Sequence, residues 1–111
     1  MPDESCQTFV SDCHVRAAAE LISHAWDPVV LSALRLGPTR RSDLLVRIAG
    51  VSDKVLTQAL QRLLARGLVV KAREAGTVYR LSPLGESFAN GPLAELARWA
   101  AVNHADIVDG A

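Results

Sequence analysis

Between residues 51 and 68 the apolar positions fall at helical spacing. Val55, Leu56, Ala59, Leu60, Leu63 and Leu64 recur at steps of three and four and form one face. Ser52 ahead of that face can accept hydrogen bonds from the first free backbone N–H groups, and Gly67 behind it can turn left-handed, so both helix ends are written locally. Lys54, Thr57, Gln58, Gln61 and Arg62 occupy the opposite face. Upstream, Val15, Ala18, Ala19 and Ile22 predict a helix starting at Cys13 with Asp12 as its cap. A second helix is expected with Asp27 as cap and Pro28 in its first turn, where a missing N–H is harmless. Val29, Val30, Ala33, Leu34 and Leu36 make this helix the apolar centre. Gly37-Pro38 stops it, residues 39–41 read as a short extended segment, and Leu44, Leu45 and Ile48 mark a third helix. Ala49-Gly50-Val51 then turns the chain into the helix described first, a helix-turn-helix spacing.

Downstream, residues 68–73 and 77–81 are rich in branched side chains and read as two strands joined at Ala75-Gly76. Ser82-Pro83 caps and starts a helix through Phe88, which Asn90-Gly91-Pro92 is expected to break. A last helix is expected from about residue 93 to residue 108, with Leu93, Leu96, Ala97, Ala100 and Val102 apolar and Trp99 beside them. Uncovered by any later element, it is expected to pack on a copy of itself. The fold class expected is mainly α with a small β-hairpin (α+β), a winged helix-turn-helix that forms a homodimer through its N- and C-terminal helices. Residues 1–12 would be an N-terminal arm and residues 13–111 a single domain, with the dimerisation helix at about 92–108.

Charge changes this picture more than composition does. With 111 residues, 50% of them hydrophobic and 22% charged, the chain is sized for one soluble domain and is short for an enzyme with its own cleft. No apolar run approaches the about 18–20 residues of a membrane span, and the acidic start MPDES is not a secretory signal, so no membrane association and a cytoplasmic location are expected. The net charge is +0, yet it is segregated: −4 over residues 1–34, +7 over residues 35–73 and −3 over residues 74–111. The positive block coincides with the helix-turn-helix and its flanks, and a field of that sign attracts a phosphate backbone.

The polar face of the fourth helix then acquires candidate roles on double-stranded DNA. Lys54, near the helix start, can bond guanine O6 or N7; Gln58 and Gln61 can pair bidentately with adenine; Thr57 can meet a thymine methyl group. Ser52 can offer its hydroxyl and backbone N–H to a phosphate. Arg62, Arg40 and Arg41 are candidate phosphate clamps, as are Arg73 and Arg80 on the hairpin. The plainer reading of that face is a solvated helix surface; charge segregation and the adjoining hairpin favour the DNA reading.

Regulation has two candidate routes. Cys13 sits at an expected helix N-terminus near His14 and Arg16, an environment that favours a reactive thiolate, and Cys6 can serve as its resolving partner. Against this, two cysteines in a cytoplasmic protein are ordinarily reduced and inert. Trp26, Tyr79, Phe88 and Trp99 are candidates to line an apolar pocket for a small aromatic effector between the terminal helices of a dimer, ordinary core being the alternative. His14, His24, His104 and the cysteines lack metal-ligand spacing, so neither a metal nor a cofactor is expected. No nucleophile motif and no Gly-rich phosphate loop is present, so the chain is not expected to be an enzyme.

Several phrases point further. They are Cys13 thirteen positions before Trp26, Leu34 with Gly37-Pro38, Arg40 entering the third helix, and Val51-Ser52-Asp53-Lys54-Val55-Leu56-Thr57-Gln58 with Leu60 and Leu63. Gly67-Leu68-Val69, Tyr79-Arg80-Leu81-Ser82 with Leu84-Gly85, and Trp99 complete the set. Over roughly residues 13–99 the chain resembles the HxlR-type branch of the MarR-like bacterial transcription regulators. The resemblance implies a dimer on a pseudo-palindromic operator, most simply a repressor, and a cysteine at position 13 that senses oxidants or electrophiles. The chain departs from the family pattern at His14, where proline is usual, and at Ser23-His24-Ala25, where Gly-Gly-Lys is usual. It departs again at Glu74-Ala75-Gly76-Thr77, which closes the wing early. A winged-helix module that binds protein rather than DNA is the competing expectation.

Overall fold

The computed structural model describes the backbone of residues 10–109 and the side chains of residues 13–107. Cys6 and the rest of the expected arm up to residue 9 lie outside the described residues. In chain order the elements are α1 (Val10–Leu21), α2 (Trp26–Leu34), β1 (Thr39–Arg40), α3 (Arg41–Arg47), α4 (Asp53–Ala65), β2 (Val69–Arg73) and β3 (Thr77–Leu81). After them come α5 (Pro83–Phe88), a π-helical turn (Ala89–Leu93), α6 (Ala94–Val102) and α7 (His104–Asp109). The fold is mostly helical with a small antiparallel sheet, as the pattern of residues predicts. Its strand order is β1-β3-β2, so the short segment before α3 joins the hairpin as a third strand.

The core forms where α2 crosses α4. Val30, Leu31 and Leu34 of α2 and Leu56, Ala59, Leu60 and Leu63 of α4 belong to one buried cluster with Leu44, Ile48, Leu68, Val69, Tyr79 and Leu81. In the hairpin Val69 pairs with Leu81 and Lys71 with Tyr79, which puts the buried end of each strand on one face over that cluster. Ser82 fastens the hairpin to what precedes it. Its N–H donates to Leu68 O at 3.0 Å, its Oγ donates to Gly67 O at 2.6 Å, and the same Oγ accepts from Gly85 N–H at 3.0 Å to cap α5. A Cβ on Gly85 would stand 1.9 Å from Leu68 O, so only glycine lets α5 lie this close to the end of α4.

Four local expectations are corrected. The first helix begins at Val10, ahead of Cys13. Asp27 is not a cap, because α2 starts at Trp26 after Ala25, and Asp27 is 1% exposed inside the first turn. Its charge is matched by a partner from α4, described below. Asn90-Gly91-Pro92 does not break the chain's helical course: a π turn with Pro92 inside it carries α5 into α6. The wider turn accommodates a residue that has no N–H to donate, and the buried side chains of Ala89 and Leu93 hold it in the core. Finally, the last helix stops at Val102. The backbone N–H and side-chain Nδ2 of Asn103 both donate to Trp99 O, at 3.0 and 2.9 Å, before α7 begins. Among the described residues no helix is long and apolar enough to cross a membrane.

Candidate nucleic-acid interface

Both ends of α4 are closed by local bonds. Ser52 is extended, and its Oγ accepts from Val55 N–H at 3.1 Å, the geometry of an N-cap. At the other end Gly67 takes φ +75°, which lets its N–H donate to Leu64 O at 3.1 Å and Leu68 N–H donate to Leu63 O at 3.0 Å. Four exposed backbone groups at each helix end would otherwise need water, so these bonds define where the helix starts and stops.

Lys54, Gln58 and Gln61 are exposed and follow one another at steps of four and three, which aligns them in one stripe opposite Leu56, Leu60 and Leu63. Thr57 flanks that stripe half-buried, and its Oγ1 accepts from Arg41 Nη2. The same guanidinium donates to Asp53 Oδ1 at 2.8 Å and to Asp53 O at 3.1 Å. Arg41 therefore ties the start of α3 to the first turns of α4. A groove of about 370 Å³ separates the start of α3 from the wing turn, with Arg40, Arg41 and Ser42 on one side and Ala75, Gly76 and Thr77 on the other. The wing turn, the start of α3 and the start of α4 are thus neighbours on one side of the molecule.

The remaining expected cations are distributed by register. Arg40 pairs with Val78, and Val78 and Arg80 share a face of β3, so exposed Arg40 and Arg80 lie on the same side of the sheet. Arg73 pairs with Thr77 and lies on the other side with Lys71. Arg62 is engaged internally. Its Nε donates to Asp27 Oδ1 and Oδ2 at 3.1 and 3.0 Å, and its Nη2 donates to Asp27 Oδ1 at 2.8 Å. These hydrogen bonds, with the carboxylate charge, hold the guanidinium above its usual pKa against the opposing effect of burial. Two further arginines of the positive block brace the scaffold. Arg47 donates to Thr39 Oγ1 at 3.2 Å and to Ala33 O at 3.4 Å, and Arg35 donates to Asn90 Oδ1 at 2.8 Å.

Sequence reasoning missed the Asp27–Arg62 pair because its members are 35 positions apart. The available signal was an acid in the first turn of the most apolar helix, a place where burial demands a cation. The regulatory candidates are scattered. Cys13 is half-buried on α1 and disulfide-bonded, while Cys6 lies outside the described residues. Tyr79 is core, Trp26 is half-buried beneath the turn at Gly50, and Trp99 is exposed on α6. Phe88 alone of the four aromatics lines an apolar groove of about 330 Å³, with Val15, Ala18, Ala19 and Ile22 of α1 on one wall and Pro92, Leu93 and Leu96 on the other.

Comparison with known proteins follows the same outline. The family model of the HxlR-like helix-turn-helix matches residues 21–107. The chain is 34% identical over 104 residues to the uncharacterized HTH-type transcriptional regulator YtfH of Escherichia coli (strain K12), covering 90% of this chain and 82% of that one. Among solved structures, ytfH from Salmonella typhimurium aligns with a TM-score of 0.73 at 32% identity, over 86% of this chain and 88% of that chain. The quinone-bound YodB from B. subtilis aligns with a TM-score of 0.70 at 23% identity, over 79% and 94%, a likeness of fold.

Proposed function

This chain belongs to the HxlR-like helix-turn-helix family of transcriptional regulators, and on that footing we propose that it is a dimeric repressor that reads double-stranded DNA through α4. The observation that carries the reading is the exposed Lys54, Gln58 and Gln61 stripe on a helix closed at both ends and set beside the wing. In a major groove Lys54 bonds guanine, and Gln58 and Gln61 pair with adenine, each good bidentate pair discriminating by about 1–3 kcal/mol. Thr57 turns its methyl group to thymine while Arg41 holds its hydroxyl. Ser52 at the helix start and Arg40, Arg73 and Arg80 around the wing meet phosphates, which position the protein without reading sequence. Arg41, already bonded to α4, positions the helix and reaches a phosphate only by giving up part of that bonding.

The exposed apolar residues of α1 and α6 support a homodimer, with the domain running from α1 to the terminal helices and the operator a pseudo-palindrome matching the two-fold axis. The effector we propose is an oxidant or electrophile. Two thiols, Cys13 and Cys6, give up two electrons and two protons to the oxidant as a disulfide forms, and the spacing of the two α4 helices changes. The disulfide at Cys13 supports this route, and the quinone-bound state of the fold neighbour YodB agrees with it. A Cys13→Ser protein that still releases its operator on oxidation would overturn it.

The test of the function itself is equilibrium binding to selected and random duplexes across a salt series. Wild-type chain is expected to prefer the selected duplex, with affinity falling steeply as salt rises. Lys54→Ala combined with Gln58→Ala is expected to abolish the preference. Equal binding of both duplexes by wild type and variant would favour a protein-binding winged helix instead.

A further inference from the structure

We propose that Asp27 is a positioning residue for the α4 reading stripe, acting through Arg62, and that Arg62 is held away from the phosphate backbone. The proposal rests on the reading above, that α4 recognises DNA. Asp27 is 1% exposed, and a carboxylate taken out of water loses its hydration and needs a hydrogen-bonded partner in its place. Arg62 meets that need with three hydrogen bonds to both carboxylate oxygens. Moving the guanidinium out to a phosphate would leave the Asp27 carboxyl in the core without its three hydrogen bonds to Arg62.

The consequence concerns the orientation of α4. Apolar packing between α2 and α4 is non-directional, so it holds the two helices together without itself specifying the direction of a polar side chain. A forked guanidinium–carboxylate pair does specify it, since its parallel bonds fix direction as well as distance. Arg62 stands next to Gln61 and four positions after Gln58, so fixing Arg62 fixes where those two amides point. A rotation of α4 by about 20° moves a side-chain tip about 6 Å from the helix axis by about 2 Å. Such a shift exceeds what a bidentate amide–adenine pair accepts. The buried pair therefore sets the azimuth of the reading stripe, although neither member touches a base.

The test compares Asp27→Asn, Arg62→Gln, the double variant and wild type for affinity to a selected and a random duplex across a salt series, with thermal denaturation of each. Both single variants are expected to lose about ten-fold or more of the selected-to-random affinity ratio. The salt slope is expected to stay at the wild-type value, and the double variant to be no worse than the worse single. Arg62→Lys keeps the buried charge and the fold but cannot form the fork; it is expected to melt near wild type and still lose preference. A salt slope reduced by about 1 in Arg62→Gln and unchanged in Asp27→Asn would make Arg62 a phosphate clamp and overturn the proposal. Variants that melt earlier at an unchanged affinity ratio would overturn it too, leaving the pair a purely structural one. A wild-type chain without duplex preference would defeat the DNA reading and this proposal together, whereas a wild-type preference retained by all variants defeats this proposal alone.

Discussion

Helices α4 and α6 have similar sequences in one respect: each carries apolar residues at steps of three and four. Their fates differ. α4 buries Leu56, Ala59, Leu60 and Leu63, whereas α6 buries none of its residues and leaves Trp99 59% and Val102 79% exposed. Val15 of α1 and Ile107 of α7 are exposed apolar side chains as well. The described residues complete the centre of the fold, and the terminal helices present a surface that the described residues do not cover. Exposed apolar area of that kind marks an interaction site, and a symmetric partner supplies the same surface twice. Under the proposed function, the contrast would also divide two jobs, orientation of the reading stripe at the centre and spacing of two stripes at the ends.

The strongest way to test this division is the same kind of truncation in both regions. Leu60→Ala empties a fully packed position and is expected to cost about 2–5 kcal/mol in urea denaturation at a fixed protein concentration. A cost below about 1 kcal/mol would mean that the centre is not the closely packed half. Gly85→Ala comes next, since its methyl group would collide with Leu68 O where α5 meets the end of α4. A loss of about 1–3 kcal/mol is expected from such overpacking, read by the same method. In the other region, Trp99→Ala is expected to weaken dimerisation by about 2 kcal/mol, roughly thirty-fold in the dissociation constant by sedimentation equilibrium. An unchanged dissociation constant would remove α6 from the interface. Ser52→Ala is the smallest change, costing about 1 kcal/mol through the lost cap, with Ser52→Asp expected to recover most of it because aspartate caps as well as serine.

The same contrast governs what the amino-acid sequence alone makes legible. α4 is legible to both ends because its signals are local: the cap at Ser52, the apolar spacing, and the left-handed Gly67. The hairpin is legible for the same reason, its branched runs flanking Ala75-Gly76. Features decided by distant partners are not. Asp27 looks like a cap in a nine-residue window and becomes the core's buried acid only because Arg62 arrives from α4. Asn90-Gly91-Pro92 looks like a break, yet burial of Ala89 and Leu93 holds a π turn through it. The candidate interface is legible as a set of residue types but not as a division of labour. Periodicity puts Thr57 and Arg62 beside Lys54, Gln58 and Gln61, charge adds Arg41 to the same set, and only the packed structure separates side chains bonded within the protein from those exposed to a partner.

The central claim is that two copies of this chain read DNA with α4 while their terminal helices set the spacing. It is tested most directly by selecting duplexes from a random pool with the wild-type protein and footprinting the winners. The account predicts a two-fold-related pair of half-sites about one helical turn apart or a multiple of that, occupied by two chains. It also predicts that Lys54→Ala with Gln58→Ala abolishes enrichment and that Trp99→Ala weakens joint occupancy of the two half-sites. A pool that shows no enrichment over random duplex, or an enriched site without two-fold symmetry bound by a single chain, would contradict it.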